Sequence, residues 1–561
     1  TSVTSAGGAG DALYRAAGGR PTLDQRFAKD KALVDKISGN NLITFSRASS
    51  GTYVGSDGLI KTSPVNLVYP SESIDDGVGL WTTTANSGTI SVTPNSTESP
   101  YGTTTATRVV ATRSGTGYSI LQARPNIPST PSVGSIWIKS NTGSNQTIYF
   151  RLDKGGAEHY NLTVTPEWQR YQMVEDEAAG HAYFSVGLRG GSDTSCDISI
   201  WGAQVQEGAL TDYIPTQGTA SGAPRFDHDP VTGESLGLLI EEERTNLLEY
   251  SEQFDQWSKG SATVVTSNTI AAPDGALTAD KVYFPSSGTR YIAESVTLTQ
   301  DKTYTFSVYA KAVTPGTNNV FLPRIGSPSP KSPSSDFVAT SEWQRFVFTF
   351  THTDATASTA IFPLNINAPY IIDLYLWGAQ LEANASFPTS YIPTSGSAVT
   401  RSSDLASIEG TNFSSWYNPT AGSFYVQESS RNNALDKYYI FISNGANNDR
   451  LWLSKDSVNR HVFRVFDSTN TLQVVSASDI LPTSSGLFSS KFVGSYLSGD
   501  SNSVLNGILS GASVNNALIR SGSNSAYLGR SGGGDYLNGH ISRLAYYPYR
   551  LSDTILQEIT S

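Results

Sequence analysis

Gly529-Arg530-Ser531-Gly532-Gly533 has the G-x-S-x-G spacing that presents a nucleophilic serine when a strand precedes it and a helix follows. Here the serine stands in a Gly-rich stretch of a β region, so the segment reads as a turn. The six histidines (His159, His181, His228, His352, His461 and His540) are scattered, and none is paired at metal-ligand spacing. Asp227-His228-Asp229-Pro230-Val231-Thr232-Gly233-Glu234 resembles part of a calcium loop. It lacks the third acidic ligand and the spacing to a bidentate glutamate, and reads as an Asp/Pro/Gly turn between two strands. A glycosidase needs two carboxylates facing each other across a sugar, and no such pair is recognisable. No enzyme is expected. The chemistry that remains is stacking, since aromatic rings match the apolar C–H faces of sugars. Tyr309 and the Tyr546, Tyr547, Tyr549 cluster are the candidate glycan contacts. Trp137, Trp201 and Trp377 recur or sit on apolar strands and read as core.

The elements that must position these rings are written twice. Asn66-Leu67 and Ser71-Glu72 return as Asn246-Leu247 and Ser251-Glu252, and each opening leads to a tryptophan, Trp81 or Trp257. Pro100-Tyr101-Gly102 matches Pro273-Asp274-Gly275. Ser135-Ile136-Trp137-Ile138-Lys139 matches Ser307-Val308-Tyr309-Ala310-Lys311, and Glu167-Trp168-Gln169-Arg170-Tyr171 matches Glu342-Trp343-Gln344-Arg345-Phe346. The copies close on Trp201-Gly202-Ala203-Gln204 with Tyr213-Ile214-Pro215-Thr216, and on Trp377-Gly378-Ala379-Gln380 with Tyr391-Ile392-Pro393-Thr394. The offset stays between 172 and 180 residues, which defines a tandem repeat. Within the second copy Phe346, Phe348 and Phe350 alternate with Val347, Thr349 and Thr351, the period of a strand with one buried face. After residue 405 the phrases change. Strand runs appear at Tyr438–Ser443, Leu451–Ser454, His461–Phe466, Lys491–Leu497 and Ile541–Tyr546, and Ser552 caps a short helix over Thr554–Ile559.

Composition agrees. The chain has 561 residues, 38% hydrophobic, 11% aromatic and only 16% charged, which predicts several all-β domains with hydroxyl- and amide-rich surfaces. The net charge is 38 − 49 = −11, and no Lys/Arg cluster offers itself to phosphate, so nucleic acid is not an expected partner. Cys196 is the sole cysteine, so no intrachain disulfide holds the cores. There is no run of 18 or more apolar residues for a membrane helix, and the Thr1-Ser2-Val3 start does not read as a signal peptide.

Phe45-Ser46-Arg47-Ala48-Ser49, Thr52-Tyr53-Val54 and Asp57-Gly58-Leu59-Ile60 resemble a recurring phrase of phage head-spike and tail-fibre proteins. So do Pro224-Arg225-Phe226-Asp227-His228-Asp229-Pro230, Gly237-Leu238-Leu239-Ile240-Glu241 and Arg244-Thr245-Asn246-Leu247-Leu248. In that group the two phrases adjoin, so residues 41–62 are expected beside 224–245. The repeats are similar to carbohydrate-binding-module sandwiches, and Phe413-Ser414-Ser415-Trp416-Tyr417 with Gly539-His540-Ile541-Ser542-Arg543 resembles a laminin-G or concanavalin-like domain. The resemblance implies an all-β fold of tandem β-sandwich (jelly-roll) modules behind a short N-terminal docking segment. Its divisions are 1–65 docking and connecting, 66–220 first sandwich, 221–245 connecting, 246–400 second sandwich and 401–561 jelly roll. It also implies a structural calcium at Glu72 with Asp197 and at Glu252 with Asp373, the alternative being that each carboxylate hydrogen-bonds a loop; no other cofactor is implied. The function implied is that of a non-enzymatic virion structural protein, a fibre, spike or adhesin. It would be made in the bacterial cytoplasm and sit on the particle exterior as a homotrimer that touches host-surface polysaccharide and other virion proteins. A capsid or neck decoration protein is the alternative, and a polysaccharide-degrading tail spike a second one.

Overall fold

A computed structural model describes residues 11–127, 131–153, 160–176, 180–325, 331–354, 359–362, 371–432, 436–445, 449–467, 469–478, 484–514 and 522–561. The chain is all-β, with antiparallel strands throughout and a few short helices. It divides into two compact units, one of Ser46–Ser50 and Ser63–Ala223, the other of Thr1–Phe45, Gly51–Thr62 and Pro224–Ser561.

In the smaller unit the long strand Ala106–Ala123 organises everything. Its first half pairs with Ser195–Glu207 and its second half with Tyr183–Leu188. Ser132–Ser140 and Gln169–Glu175 extend the first side; Gln146–Asp153 and Tyr160–Val164 extend the second. A single hydrogen-bonded sheet thus folds over itself around Ser114-Gly115-Thr116-Gly117. Gly117 is required there, because a Cβ would lie 2.4 Å from the Asn86 carbonyl oxygen. The two sides close on Trp81, Val109, Leu121, Ile136, Phe150, Phe184 and Ile198, so burial of both apolar faces makes a sandwich.

The larger unit holds the second repeat and the C-terminal domain. In the repeat, Val264–Ile270, Ala279–Phe284, Ile372–Ala383, Thr303–Ala312 and Gln344–Thr351 form one sheet. Phe306, Phe348 and Phe350 enter its core, while Thr303 and Thr305 bond Thr351 and Thr349 through their hydroxyls on the other face. The predicted alternation is what the strand uses. In the C-terminal domain one sheet runs Phe226–His228, Ser235–Ile240, Gly539–Tyr547, Ala421–Asn432, Ser484–Leu497, Asn502–Leu505 and Ile508–Ser510, with Leu23–Gln25 also on Gly539–Tyr547. The facing sheet includes Leu405–Glu409, Ser525–Leu528, Lys437–Ser443, Leu451–Lys455, His461–Phe466 and Leu472–Ala477. The final helix is Asp553–Thr560, with the Ser552 hydroxyl accepting from the Ile555 N–H.

Two expectations change. The described N-terminal residues are not a separate docking arm: Leu23, Phe27, Leu33, Leu42, Ile43 and Phe45 fill the C-terminal core, and Leu13 and Ala17 pack with Tyr547, Leu551 and Leu556. Residues 1–10 lie outside the described residues. The 221–245 connection supplies two strands of the C-terminal sheet, because Leu238 and Ile240 complete the same core. As expected, the hairpin Thr52–Val54/Ile60–Thr62 lies beside this segment. The Val54 N–H donates to Asp227 (2.6 Å) and Arg225 Nη1 to the Thr52 carbonyl (2.9 Å).

Candidate functional site

The repeats agree at the level of single hydrogen bonds. Each opening Asn is fully buried and holds the closing phrase. The Asn66 amide donates to the Ala203 and Ile214 carbonyls (2.9 and 2.8 Å), and Asn246 donates to Ala379 and Ile392 (3.1 and 2.9 Å). Glu72 accepts from the Tyr213 hydroxyl (3.0 Å) and the Thr105 hydroxyl (3.2 Å), and Trp201 Nε1 donates to Thr105 (2.8 Å). Glu252 accepts from Tyr391 (2.8 Å), and Trp377 Nε1 donates to Thr278 (3.1 Å). Burial raises both glutamates above the ordinary carboxylate range.

The calcium pairs are not assembled. Asp197 is a salt-bridge partner of Arg108, whose hydrogen bonds hold its carboxyl below the usual range, and Asp373 pairs with Lys281 at 3.2 Å. Asp197 also stands four residues before Trp201 on one strand, roughly 13 Å from the tryptophan against which Glu72 is bonded. Among the described residues no three His, Cys, Asp or Glu side chains converge as a metal would require. The partners of these carboxylates are side chains rather than a loop backbone: hydroxyls on Glu72 and Glu252, Arg108 and Asn141 on Asp197, and Lys281 on Asp373.

Glu294 gives a pH signature. Burial lifts its carboxyl to about 7, against the partial relief of the Glu249 and Tyr250 N–H groups. The folded-state value lies above the unfolded value near 4.3, so the folded state binds the extra proton more tightly. Stability present at low pH is therefore lost as pH rises from about 4.3 toward 7. Glu294→Gln is expected to raise the denaturant midpoint of the larger unit at pH 8 and leave it unchanged at pH 4, in parallel urea titrations.

The candidate tyrosines separate. Tyr546 and Tyr547 are fully buried, which removes them as sugar contacts. Adjacent residues of a strand face opposite ways, and both faces of Gly539–Tyr547 are covered: Tyr546 enters the sandwich core and Tyr547 packs under the final helix. Tyr549 is 42% exposed. Tyr309 is half-buried against Trp377 (ring centroids 5.5 Å apart), under the Arg345 guanidinium. It borders a cleft of about 240 Å³ with Tyr53, Asp227, His228, Arg345 and His540. At this cleft His540 joins Asp227 (2.8 Å) to Ser429 (3.2 Å). Ser429 is buried in mid-sheet between two paired strands and does not line the cleft, so the trio lacks an accessible nucleophile. Asp229 accepts from the Val231 and Thr232 N–H groups (2.8 Å each), the expected turn. Ser531 likewise sits in a turn, bonded to Asp535. His159 lies outside the described residues.

The aromatic site that the sequence did not single out is on the outer face of the C-terminal sandwich. Along Leu451–Lys455, Leu451 and Leu453 point into the core while Trp452 points out. Phe441 on the neighbouring strand is directly opposite Trp452 and also opposite Tyr527. The rings make a continuous row. Phe441 stacks on Trp452 (5.5 Å, 24°), Trp452 on Phe466 (5.1 Å, 17°), and Tyr438 and Tyr527 flank Phe441 at 5.8 and 6.5 Å. The Arg450 guanidinium lies over Phe466 at 4.9 Å, and that of Arg530 over Tyr527 at 4.9 Å. Tyr438, Phe441, Arg450, Trp452 and Tyr527 border a groove of about 440 Å³, with Ser443, Ser531, Asp535, Gly532 and Gly533 on its polar side. That size is within the range of ligand pockets, about 300–1,000 Å³. Trp452 is 6% exposed and its Nε1–H has no acceptor among the described residues. A buried donor left so costs roughly 1–3 kcal/mol. Asp535 is the one carboxylate among the described residues that line the groove, and hydrolysis of a glycoside needs two.

No family model matches the chain, and no curated protein matches it. Solved structures similar to it include the Ruminococcus gnavus IT-sialidase CBM40 bound to α2,3-sialyllactose, at 13% identity over 26% of this chain and 84% of that chain, with TM-score 0.23. The N-terminal CBM22-1-CBM22-2 tandem domain of Paenibacillus barcinonensis Xyn10C is similar at 11% identity over 57% and 98%, TM-score 0.23. Trypanosoma rangeli sialidase in complex with the inhibitor DANA is similar at 8% identity over 97% and 97%, TM-score 0.22. The chain's own strand pairing defines its class: an all-β protein of tandem β-sandwich modules.

Proposed function

We propose that the chain is a non-catalytic structural protein that contacts glycans, and that the Tyr438–Phe441–Trp452–Tyr527 groove is its sugar site. The observation that carries this is the row of stacked rings along one side of a groove whose other side is polar, with Ser443, Ser531 and Asp535. It offers C–H stacking and a hydrogen bond to the same ligand. The connecting phrases that resemble phage head-spike and tail-fibre proteins support a place on the exterior of a phage particle. There, homotrimeric assembly would multiply a weak site through effective concentration. The test is the full chain on a glycan array, with reducing ends assayed in parallel. Binding of host-type polysaccharide without release of reducing sugar is the expected result. No binding to any glycan would transfer the chain to a decoration role among virion proteins, and released sugar would make it a hydrolase.

A further inference from the structure

The two repeats differ at one equivalent place, and the difference assigns a second site. In the second repeat Trp377 and Tyr391 form a small apolar cluster with Ala272 and Ala279. The chain's own hairpin covers that cluster. Ile60 packs on it, its N–H donates to the Pro273 carbonyl (2.9 Å), and Leu59 lies against Gly275. The first repeat has the same cluster in Trp201 and Tyr213, with their rings 4.7 Å apart and Trp137 5.4 Å from Trp201. Where the second repeat carries Asp274, the first carries Tyr101. The Tyr101 ring lies over Trp201 at 5.0 Å and 31°, and is 65% exposed. Arg170 covers the far side of Trp137 at 4.4 Å, and its Nη2 has no acceptor among the described residues.

The covered copy shows what this place accepts: an apolar C–H surface on aromatic rings, together with one donor to the Pro273 carbonyl. Pro100 is the equivalent residue in the first repeat. A pyranose supplies both features, a C–H face and hydroxyl donors. The substitution also decides between a branched aliphatic chain and a flat ring. Beside Asp274 the Pro273 carbonyl takes the Ile60 N–H and Ile60 packs on the Trp377 cluster, whereas Tyr101 lays its own ring over Trp201 at 31° and leaves its outer face open. We infer that Tyr101, backed by Trp201, Trp137 and Arg170, is a stacking site for a neutral sugar ring, present in the first repeat and self-occluded in the second. It shares the proposed glycan role but stands on residues independent of the C-terminal groove.

Full-length protein labelled with 5-fluorotryptophan separates the two sites, because each tryptophan gives its own fluorine resonance and Trp→Phe variants assign them. The probes are hexasaccharides of β-1,4-glucan, α-1,4-glucan, β-1,4-xylan and β-1,4-mannan. The expected result is a saturable shift of the Trp201 resonance with at least one of them and no shift of Trp377. Tyr101→Ala should weaken that saturation about tenfold or more, and Tyr101→Trp should restore it. Tyr101 is exposed, so the alanine variant is expected to fold, and an unchanged resonance of Trp81, buried in the core of the same unit, checks this. A Trp201 resonance that stays still with all four sugars overturns the inference. So does a shift that survives Tyr101→Ala, or one produced only by a peptide of residues 51–62. Trp452, read in the same titration, reports the groove separately.

Discussion

Arg225→Met is expected to destabilise the larger unit by about 3–5 kcal/mol, the cost of removing one partner from a buried ion pair. Arg225 is fully buried, with Asp404 at 2.5 Å and Glu241 at 2.8 Å. Glu241 is shared with Arg401 at 3.6 Å and accepts from both the N–H and the hydroxyl of Ser390 at 2.7 Å. One guanidinium therefore ties the connecting strand, the end of the second repeat and the start of the C-terminal domain. Burial alone would raise the Glu241 carboxyl, but Arg401 and Arg225 hold it well below the carboxylate range. A depressed folded-state pKa contributes stability above the unfolded value, and that stability is lost as pH falls through the folded one. In Arg225→Met Glu241 keeps Arg401 and Ser390 but loses one of the two cations that lower it, so its folded-state value moves back up and it contributes less. The gap between variant and wild type should narrow from pH 7 to pH 3, because the depressed value places the window below the unfolded carboxylate value near 4.3. Urea unfolding at both pH values checks this; an unchanged midpoint at pH 7 would remove the network from the account of stability.

Asn246→Ala should be nearly as damaging. Its side chain satisfies four buried backbone groups, donating to Ala379 and Ile392 and accepting from Leu248 and Leu381 (3.2 and 3.0 Å). Each group left without a partner costs roughly 1–3 kcal/mol, so a loss of at least about 3 kcal/mol is expected in the larger unit. Asn66→Ala should produce a loss of the same size in the smaller unit alone, since Asn66 makes the matching set. Two unfolding transitions, each moved by one variant, would be seen by calorimetry. A single transition moved equally by both would contradict the division into two units.

The duplication was legible because the repeated phrases are the residues that make these bonds: a buried Asn cannot be exchanged without stranding backbone. The strands of the C-terminal domain were legible for a related reason, since Leu451, Leu453, Phe463 and Val465 keep the two-residue period. The groove was not. Its rings come from three successive strands, with Tyr438 and Phe441, Trp452 and Phe466, and from Tyr527 on a fourth strand much later in the chain, and Phe441 stands between Ile440 and Ile442 in an unbroken apolar run. Nothing in such a run says which face meets solvent. Tyr546 and Tyr547 misled in the opposite way: a tyrosine pair looks like a surface, yet a helix covers the second face. The folding of residues 11–45 into the C-terminal core was hidden because its partners lie some 400–520 residues away, as in the Leu23↔Tyr546 pairing.

The groove is tested most directly by calorimetric titration of the tightest array glycan into wild type, Trp452→Phe and Tyr527→Ala. The first variant shrinks the central ring of the row; the second removes a flanking ring. Each should weaken the sugar about tenfold or more while the unfolding midpoint of the chain changes little. Equal affinity in all three proteins would show that the sugar, if bound at all, is held elsewhere.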